Sequence, residues 1–365
     1  MSNAASVHFY QGACSPPGAP ACSESLIPLS EAEDILLVRG GPGSGKTLFL
    51  SRIAEKLSES GASVEYLHTS GFPEELGAVI FPELRSAVAA GSACMESSCP
   101  GAVEHEISLD QFYDLAPLRE KRKKILTLTV SFKSLFGRAA RYFSAARSVS
   151  EDILGQVLSE ETALRIAKRA RGIAAREFRR VPGKTGTGKM RYLDAVTASD
   201  QLRRFDTVAA LCENVYELVD NYGLSDCLLQ VLRTEALAAG RDVIACPSPL
   251  DPGRLCHLLI PSLSLAFVTS SAGMPYPGKA YRRIRLDAVP GSAELRRSRT
   301  RLRFSKKILA ALMEEGVQHL NQARSAAGEL EALYAPHVDL DGVLLLAEGE
   351  GNRLLEKWNA RKSDI

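Results

Sequence analysis

Apolar positions fall in short unbroken runs that alternate with stretches of three- and four-residue spacing. Ile35, Leu36, Leu37 and Val38 form the first unbroken run and predict a strand buried on both faces. Leu50, Ile53, Ala54 and Leu57 then recur at helical spacing, and Gly61 stands where a helix stop belongs. Val64 to Leu67 predicts a second strand. Ala78–Phe81 and Ala87–Ala90, with Pro82 between them, predict a third and another. Strands alternating with helices predict an open parallel sheet. Ahead of them lie a short apolar start, Val7 to Tyr10, and a stretch from Gly12 to Ser25 rich in Pro, Gly, Ser and Cys that reads as loop.

The pattern changes near Leu115. A basic run, Arg119 to Lys124, opens a long amphipathic tract. Phe132, Leu135, Phe136, Ala139 and Phe143 mark one helical face, and ETALRIAKRARGIAAREFRR predicts a second helix. The expectation is a helical hairpin that projects from, or packs on, the first α/β core.

Between the first strand and its helix lies GGPGSGKT, residues Gly40 to Thr47. It matches the phosphate-loop pattern G-x-x-x-x-G-K-[ST] at every position. Gly40, Gly41, Pro42, Gly43, Ser44 and Gly45 would bring backbone N–H groups close to an anion. Lys46 would neutralise the β- and γ-phosphates, the one catalytic role the motif assigns. The Thr47 hydroxyl would hold Mg²⁺. Strand, glycine loop and helix together aim a helix N-terminus at a phosphate.

The chain also repeats itself. Residues 58–84 match residues 237–263 at a constant offset of 179, pairing Gly61 with Gly240, Val64 with Val243, Pro73 with Pro252, Leu76 with Leu255 and Pro82 with Pro261. Residues 95–110 resemble 274–287 with two residues fewer, and HFYQGACSPP resembles RYLDAVTASD. A long helical tract closes each half. A period of this length means two copies of one domain. In the second copy Gly43 meets Gly223, Lys46 meets Ser225 and Thr47 meets Asp226. The cation is gone, and a carboxylate near the phosphate position is repulsive. The second copy is therefore expected to keep the fold and to have lost nucleotide binding. A nearer imitation, Gly183 to Lys189 in VPGKTGTGK, follows a basic helix and leads into RYLDAV, which reads as a strand; it is taken as a flexible basic linker.

The expected fold class is α/β, with duplicated P-loop NTPase domains, parallel sheets, and a long helical segment after each. The expected boundaries are 1–114 for the domain with the intact loop, 115–180 for a helical hairpin or lid, 181–292 for the second domain, and 293–365 for a C-terminal helical segment.

Composition changes this picture little. Apolar residues make up 45% and charged residues 24%, and 45 Lys and Arg against 43 Asp and Glu leave +2. No apolar run approaches the roughly 18 residues a membrane span needs, and the first residues lack a secretory pattern. Eight scattered cysteines form no C-x-x-C pair, so a reduced cytoplasmic setting is expected. His68 reads as structural, and His105 and His257 lack the spacing of a zinc site. Three basic tracts, REKRKK, RIAKRARGIAAREFRR and RRSRTRLRFSKK, lie on helical sequence. Solvated helix faces are the favoured reading and nucleic acid the less favoured partner. A homo-oligomer is compatible with the sequence.

GGPGSGKT, VEYLH, ELGAVIFPEL, PGAVEHEISLD, RAARYFSAA, DVIACPSPLDPGRLCHLLIPSL and LAFVTSS together resemble a bacterial family of tandem P-loop ATP-binding proteins, ATPase- or nucleotide-kinase-like. The resemblance runs over nearly the whole chain and implies ATP and Mg²⁺ as ligands. Relatives carry acidic residues after the strand ending at His68 and an Asp-Gly-Thr run after the next apolar strand; here those places hold Phe72 and Ala90-Gly91-Ser92, and the second copy retains Asp251. Remaining acidic candidates are Glu65, Glu74, Glu75, Glu83 and Asp110. Three functions stay open: an ATP-binding P-loop NTPase with one competent site and weak or regulated hydrolysis, aided by an arginine of the second copy such as Arg254 or Arg282; a small-molecule or nucleotide kinase; and a non-catalytic nucleotide-dependent scaffold that contacts nucleic acid.

Overall fold

The computed structural model describes residues 6–12, 26–90 and 99–363. The first half of the chain contains β1 (Ser6–Tyr10), β2 (Asp34–Arg39), α1 (Lys46–Glu59), β3 (Val64–His68), β4 (Leu76–Phe81), β5 (Ser86–Ala90), β6 (Glu104–Ser108), α2 (Leu115–Glu120), α3 (Arg122–Gly155) and α4 (Glu160–Glu177). The second contains β7 (Gly188–Met190), β8 (Asp194–Val196), β9 (Gln201–Arg203), α5 (Phe205–Leu211), β10 (Asn214–Val219), α6 (Ser225–Ala238), β11 (Val243–Pro247), β12 (Leu255–Ile260), β13 (Leu265–Ser270), β14 (Arg282–Arg285), α7 (Ser292–Tyr334) and α8 (Leu340–Ser363). No helix among the described residues is long and apolar enough to cross a membrane.

The result is a mixed α/β architecture with two six-stranded sheets. One has the order β1-β3-β4-β5-β2-β6 and the other, read from the opposite edge, β7-β11-β12-β13-β10-β14. They agree strand for strand and direction for direction. They also share irregularities at the 179-residue offset. The register shifts at Leu67/His68 and at Cys246/Pro247. Arg85 (φ 48°) and Ser264 (φ 50°) end matching 3₁₀ turns, Pro82–Leu84 and Pro261–Leu263, with left-handed backbone.

The sheets are not wholly parallel as expected. β4 and β12 run antiparallel to both neighbours. Residues 69–75 and the Pro82 turn are too short for the helical crossover a parallel neighbour requires, so the chain reverses instead. Direction is then restored in β5, leaving β2, β3, β5 and β6 with their C-terminal ends at one edge. RYLDAV is also not one strand: the edge strand β7 starts earlier, at Gly188, and β8 belongs to a two-stranded pair with β9.

The chain divides into two units, residues 1–140, 197–201 and 317–365 in unit 1, and 141–196 and 202–316 in unit 2. In unit 1, α1 buries Phe49, Leu50, Ile53, Ala54 and Leu57 among Leu36, Val38, Val79, Phe81 and Val88. It ends at Ser60, followed by Gly61 at φ 87°, a conformation glycine adopts without strain. The helix packed beside α1 is α8, which contributes Val343, Ala347, Leu354 and Trp358 to the same core. In unit 2 the corresponding helix α6 packs against α4. The hairpin expected on the first core thus supplies α4 to the second, and each sheet is closed by a helix that follows the other sheet in sequence.

Candidate functional site

β2 is flanked by β5 and β6, both parallel to it, and five of its six residues are buried. It delivers the chain to Gly40 at the sheet's C-terminal edge. Gly43 (φ 65°) and Gly45 (φ 80°) then take left-handed conformations that L side chains rarely adopt. Gly40 and Gly41 are constrained by space: a Cβ on them would lie 2.3 Å from Ser44 Oγ and 2.8 Å from the Tyr113 hydroxyl. Gly45 is the N-cap of α1. It provides no side-chain cap, and the first turn of α1 carries no acid, so no side chain of that turn offsets the positive end of the helix dipole.

Lys46 folds back on this loop. Its Nζ donates to the carbonyl oxygens of Gly40 (2.8 Å) and Gly41 (2.7 Å) and lies 3.5 Å from Ser44 Oγ. Burial lowers its pKa, opposed by the charges of Glu75, Asp110 and Glu331. Asp110 Oδ1 accepts from the Gly41 N–H at 2.8 Å, and the Tyr113 hydroxyl donates to the Pro42 carbonyl at 2.8 Å. Burial raises the pKa of that phenol, which keeps it a donor. Thr47 Oγ1 accepts from the Leu76 N–H at 3.2 Å and keeps a further lone pair and its own proton.

The C-terminal helices reach the same loop. A Cβ on Gly43 would meet Glu331 O at 3.4 Å and Tyr334 Cβ at 3.5 Å; one on Gly45 would meet Leu340 Cδ2 at 3.2 Å. The Tyr113 and Tyr334 rings lie 5.2 Å apart. Arg324 of α7 pairs with Glu74 and, at 3.0 Å, with Glu75, and sits over the Phe72 ring. Burial raises the Glu75 pKa, and Glu331 adds to the rise while Arg324 and Lys46 oppose it.

Of the five acidic candidates, Glu74, Glu75 and Asp110 gather at the loop's edge of the sheet. Glu65, within β3, and Glu83, in the turn after β4, do not. Ala90 ends β5 beside Val38, so that strand end carries no carboxylate; Gly91 and Ser92 lie outside the described residues. His68 is held by His8 at 3.0 Å and by the Pro73 carbonyl at 2.7 Å, a structural role. Glu331, Tyr113 and Tyr334 were not found from the sequence. Tyr113 stands three residues after Asp110, a signal that could have been used; Glu331 and Tyr334 lie nearly 300 residues away and carry none.

The second loop is built differently. Asp220 directly follows β10, and its carboxylate turns back into the loop. Oδ1 accepts from the N–H groups of Tyr222 and Gly223, both at 2.9 Å, and Oδ2 from that of Ser225 at 2.6 Å. The chain's own anion thus fills the amide nest. The sequence pointed to Asp226 as the repelling carboxylate. Instead Asp226 accepts from the Leu255 N–H at 2.8 Å, as Thr47 does from that of Leu76. Asp287 accepts from the Asn221 N–H at 2.8 Å, as Asp110 does from that of Gly41. Arg254 donates to the Gly223 carbonyl, and Arg282 lies over the Tyr281 ring. Both proposed arginines therefore serve unit 2, and in unit 1 it is Arg324 that stands among the acids.

The imitation at Gly183–Lys189 leads into a strand, with no helix at its end. It is not a flexible linker: Val181 and Gly186 donate to the carbonyls of Ala239 and Leu237, and Asp242 binds Lys184 and Thr187. Asp194, Cys256 and His257 place three potential metal-ligand atoms within 4.8 Å of one another. The lone pairs of Asp194 and His257 are already engaged. Arg203 grips both Asp194 oxygens (2.6 and 2.7 Å), and the Thr269 N–H donates to His257 Nδ1 at 3.1 Å, which leaves the neutral ring's proton on Nε2, 3.1 Å from Asp194. Burial pushes the Cys256 thiol up to about 12. A cation would have to displace Arg203, so the cluster is a buried structural ion pair.

No protein-family model, no curated protein and no solved structure matches this chain.

Proposed function

We propose that unit 1 is a Mg²⁺-dependent ATP site centred on Gly40–Thr47, and that the chain is a duplicated P-loop protein with this one competent site. The observation that carries the reading is the contrast between two topologically matched loops. The first has an uncapped helix and a lysine on its carbonyls; in the second Asp220 satisfies the amides internally. The residues fit the ligand. N–H groups of the loop and the first turn of α1 would hold phosphate oxygens, Lys46 would neutralise the β/γ charge, and Thr47 has a lone pair for Mg²⁺. Bound Mg²⁺ would supply charge neutralisation on the terminal phosphates. Free cysteines at 99, 212, 227, 246 and 256 are in keeping with a reducing, cytoplasmic setting.

A second reading, binding without turnover, is favoured by Ala90, which leaves the β5 end without the carboxylate that would orient Mg²⁺ or water. The kinase reading stays with the proposal only if a phosphorylated product is found in a metabolite screen.

Titration of a fluorescent ATP analogue with Mg²⁺, alongside phosphate release, tests the reading. A unit charge pair about 4 Å apart at an effective dielectric of 20 is worth about 4 kcal/mol before desolvation. Lys46→Ala is therefore expected to weaken binding by at least about tenfold, or 1.4 kcal/mol. Equal affinity in wild type and variant would refute the site.

A further inference from the structure

The near-zero charge of the whole chain hides a segregation between its units. Unit 2 carries 28 Lys and Arg against 18 Asp and Glu, a net of +10; unit 1 carries 17 against 25, a net of −8. The densest part of this excess is the start of α7. Seven basic residues and no acidic one lie between Arg296 and Lys307. Arg296, Arg299, Arg303 and Lys307 recur at spacings of three and four, which sets them on one helical face. All four are exposed, and none of them has an ion-pair partner among the described residues. Their neighbours are used otherwise: Arg301 pairs with Asp152 at 3.0 Å, and Lys306 lies over the Tyr222 ring.

The opposite face of this helix is committed to the unit's own core. Leu302 and Ser305 are buried, and Leu295 and Leu309 pack on the same cluster. A helix that adsorbs to a membrane needs an apolar face of its own to insert. Here one large apolar side chain, Phe304 at 63% exposure, stands among the cations. A row of cations about 16 Å long matches a regular polyanion. Three of the four are arginines, whose planar fork meets phosphate oxygens two at a time.

We propose that this face of α7 binds the phosphate backbone of double-stranded nucleic acid, independently of base sequence, with Phe304 against the sugar or base edges. Four neutralised phosphates give a slope of about −3.6 for log K against log salt on B-DNA, so affinity falls about 150-fold between about 50 and 200 mM.

The test is fluorescence anisotropy of the full chain, without added nucleotide, on labelled DNA and RNA duplexes of about 20 bp. Omitting nucleotide keeps the outcome separate from that of the ATP site. Arg299→Glu, Arg303→Glu and Lys307→Glu combined are expected to weaken binding at least about a hundredfold at low salt. Circular dichroism and Tm should stay at wild-type values, because all three side chains are exposed. The tighter of the two duplexes identifies the natural class. The proposal is overturned by no duplex binding at low salt, by equal binding of the triple variant, or by tighter binding to phosphatidylserine vesicles than to either duplex.

Discussion

Asp220 is where the second loop departs most from the first, and its contribution follows from its hydrogen bonds. Its buried carboxylate accepts from three backbone N–H groups at 2.6 to 2.9 Å. Hydrogen bonds to a charged group contribute about 1.5–3 kcal/mol each, but three on one side chain are not additive. Asp220→Gly, which places there the residue that follows β2 in the first sheet, should therefore cost about 2–4 kcal/mol. For a unit of 171 residues this lowers its Tm by about 5–15 °C. The vacated amides should then accept an external anion. Inorganic phosphate at ten times its Kd would return RT ln 11, about 1.4 kcal/mol, or about 3–5 °C. Asp220→Asn should be destabilised without rescue, because its NH₂ group points a donor at donors. Scanning calorimetry in chloride and phosphate buffers of equal ionic strength reads all three proteins. If Asp220→Gly were as stable as wild type, or if phosphate raised every Tm equally, the self-filled nest would be wrong.

Two further outcomes follow from buried charges. Asp34 begins β2, nearly buried, and is gripped by Arg353 and Lys357 of α8 and by His105 at 3.2 Å. Burial alone would raise its pKa, yet Arg353 and Lys357 bring it below the usual carboxylate value. Its stabilisation is full above the unfolded value of about 3.9 and is lost as pH falls through the folded value. Asp34→Asn should lower the stability of unit 1 by about 2 kcal/mol at neutral pH and flatten the acid limb of a denaturation series; an unchanged acid limb would count against it. His257 acts in the same direction, but at higher pH and because its neutral form is the one buried. Burial lowers its pKa, with Asp194 opposing, so the fold holds the ring neutral. Below the unfolded value of about 6.5 the unfolded chain takes up a proton that the folded one resists, and stability falls. His257→Asn, which keeps an acceptor for the Thr269 N–H, should remove that slope between about pH 6.5 and 5 in urea titrations; an identical slope would refute the assignment.

The sequence by itself determined the local chemistry. An apolar run, a glycine-rich loop and a 3.6-residue pattern specify β2, the turn and α1, because their conformations depend on neighbours a few residues away. The 179-residue offset marked the matching turns at Pro82 and Pro261, because the same side chains bend the chain the same way twice. Tertiary structure decided what no short window holds. β4 reverses direction because its connections are too short to cross over, yet its apolar run looks like that of any parallel strand. Asp220 rather than Asp226 fills the second nest, because it stands directly after β10, where the first loop has the side-chain-less Gly40. Glu331, Tyr334 and Arg324 reach the first loop only because each sheet is closed by helices that follow the other in sequence. Such an exchange leaves no trace in periodicity, since a helix buries the same face whichever core receives it.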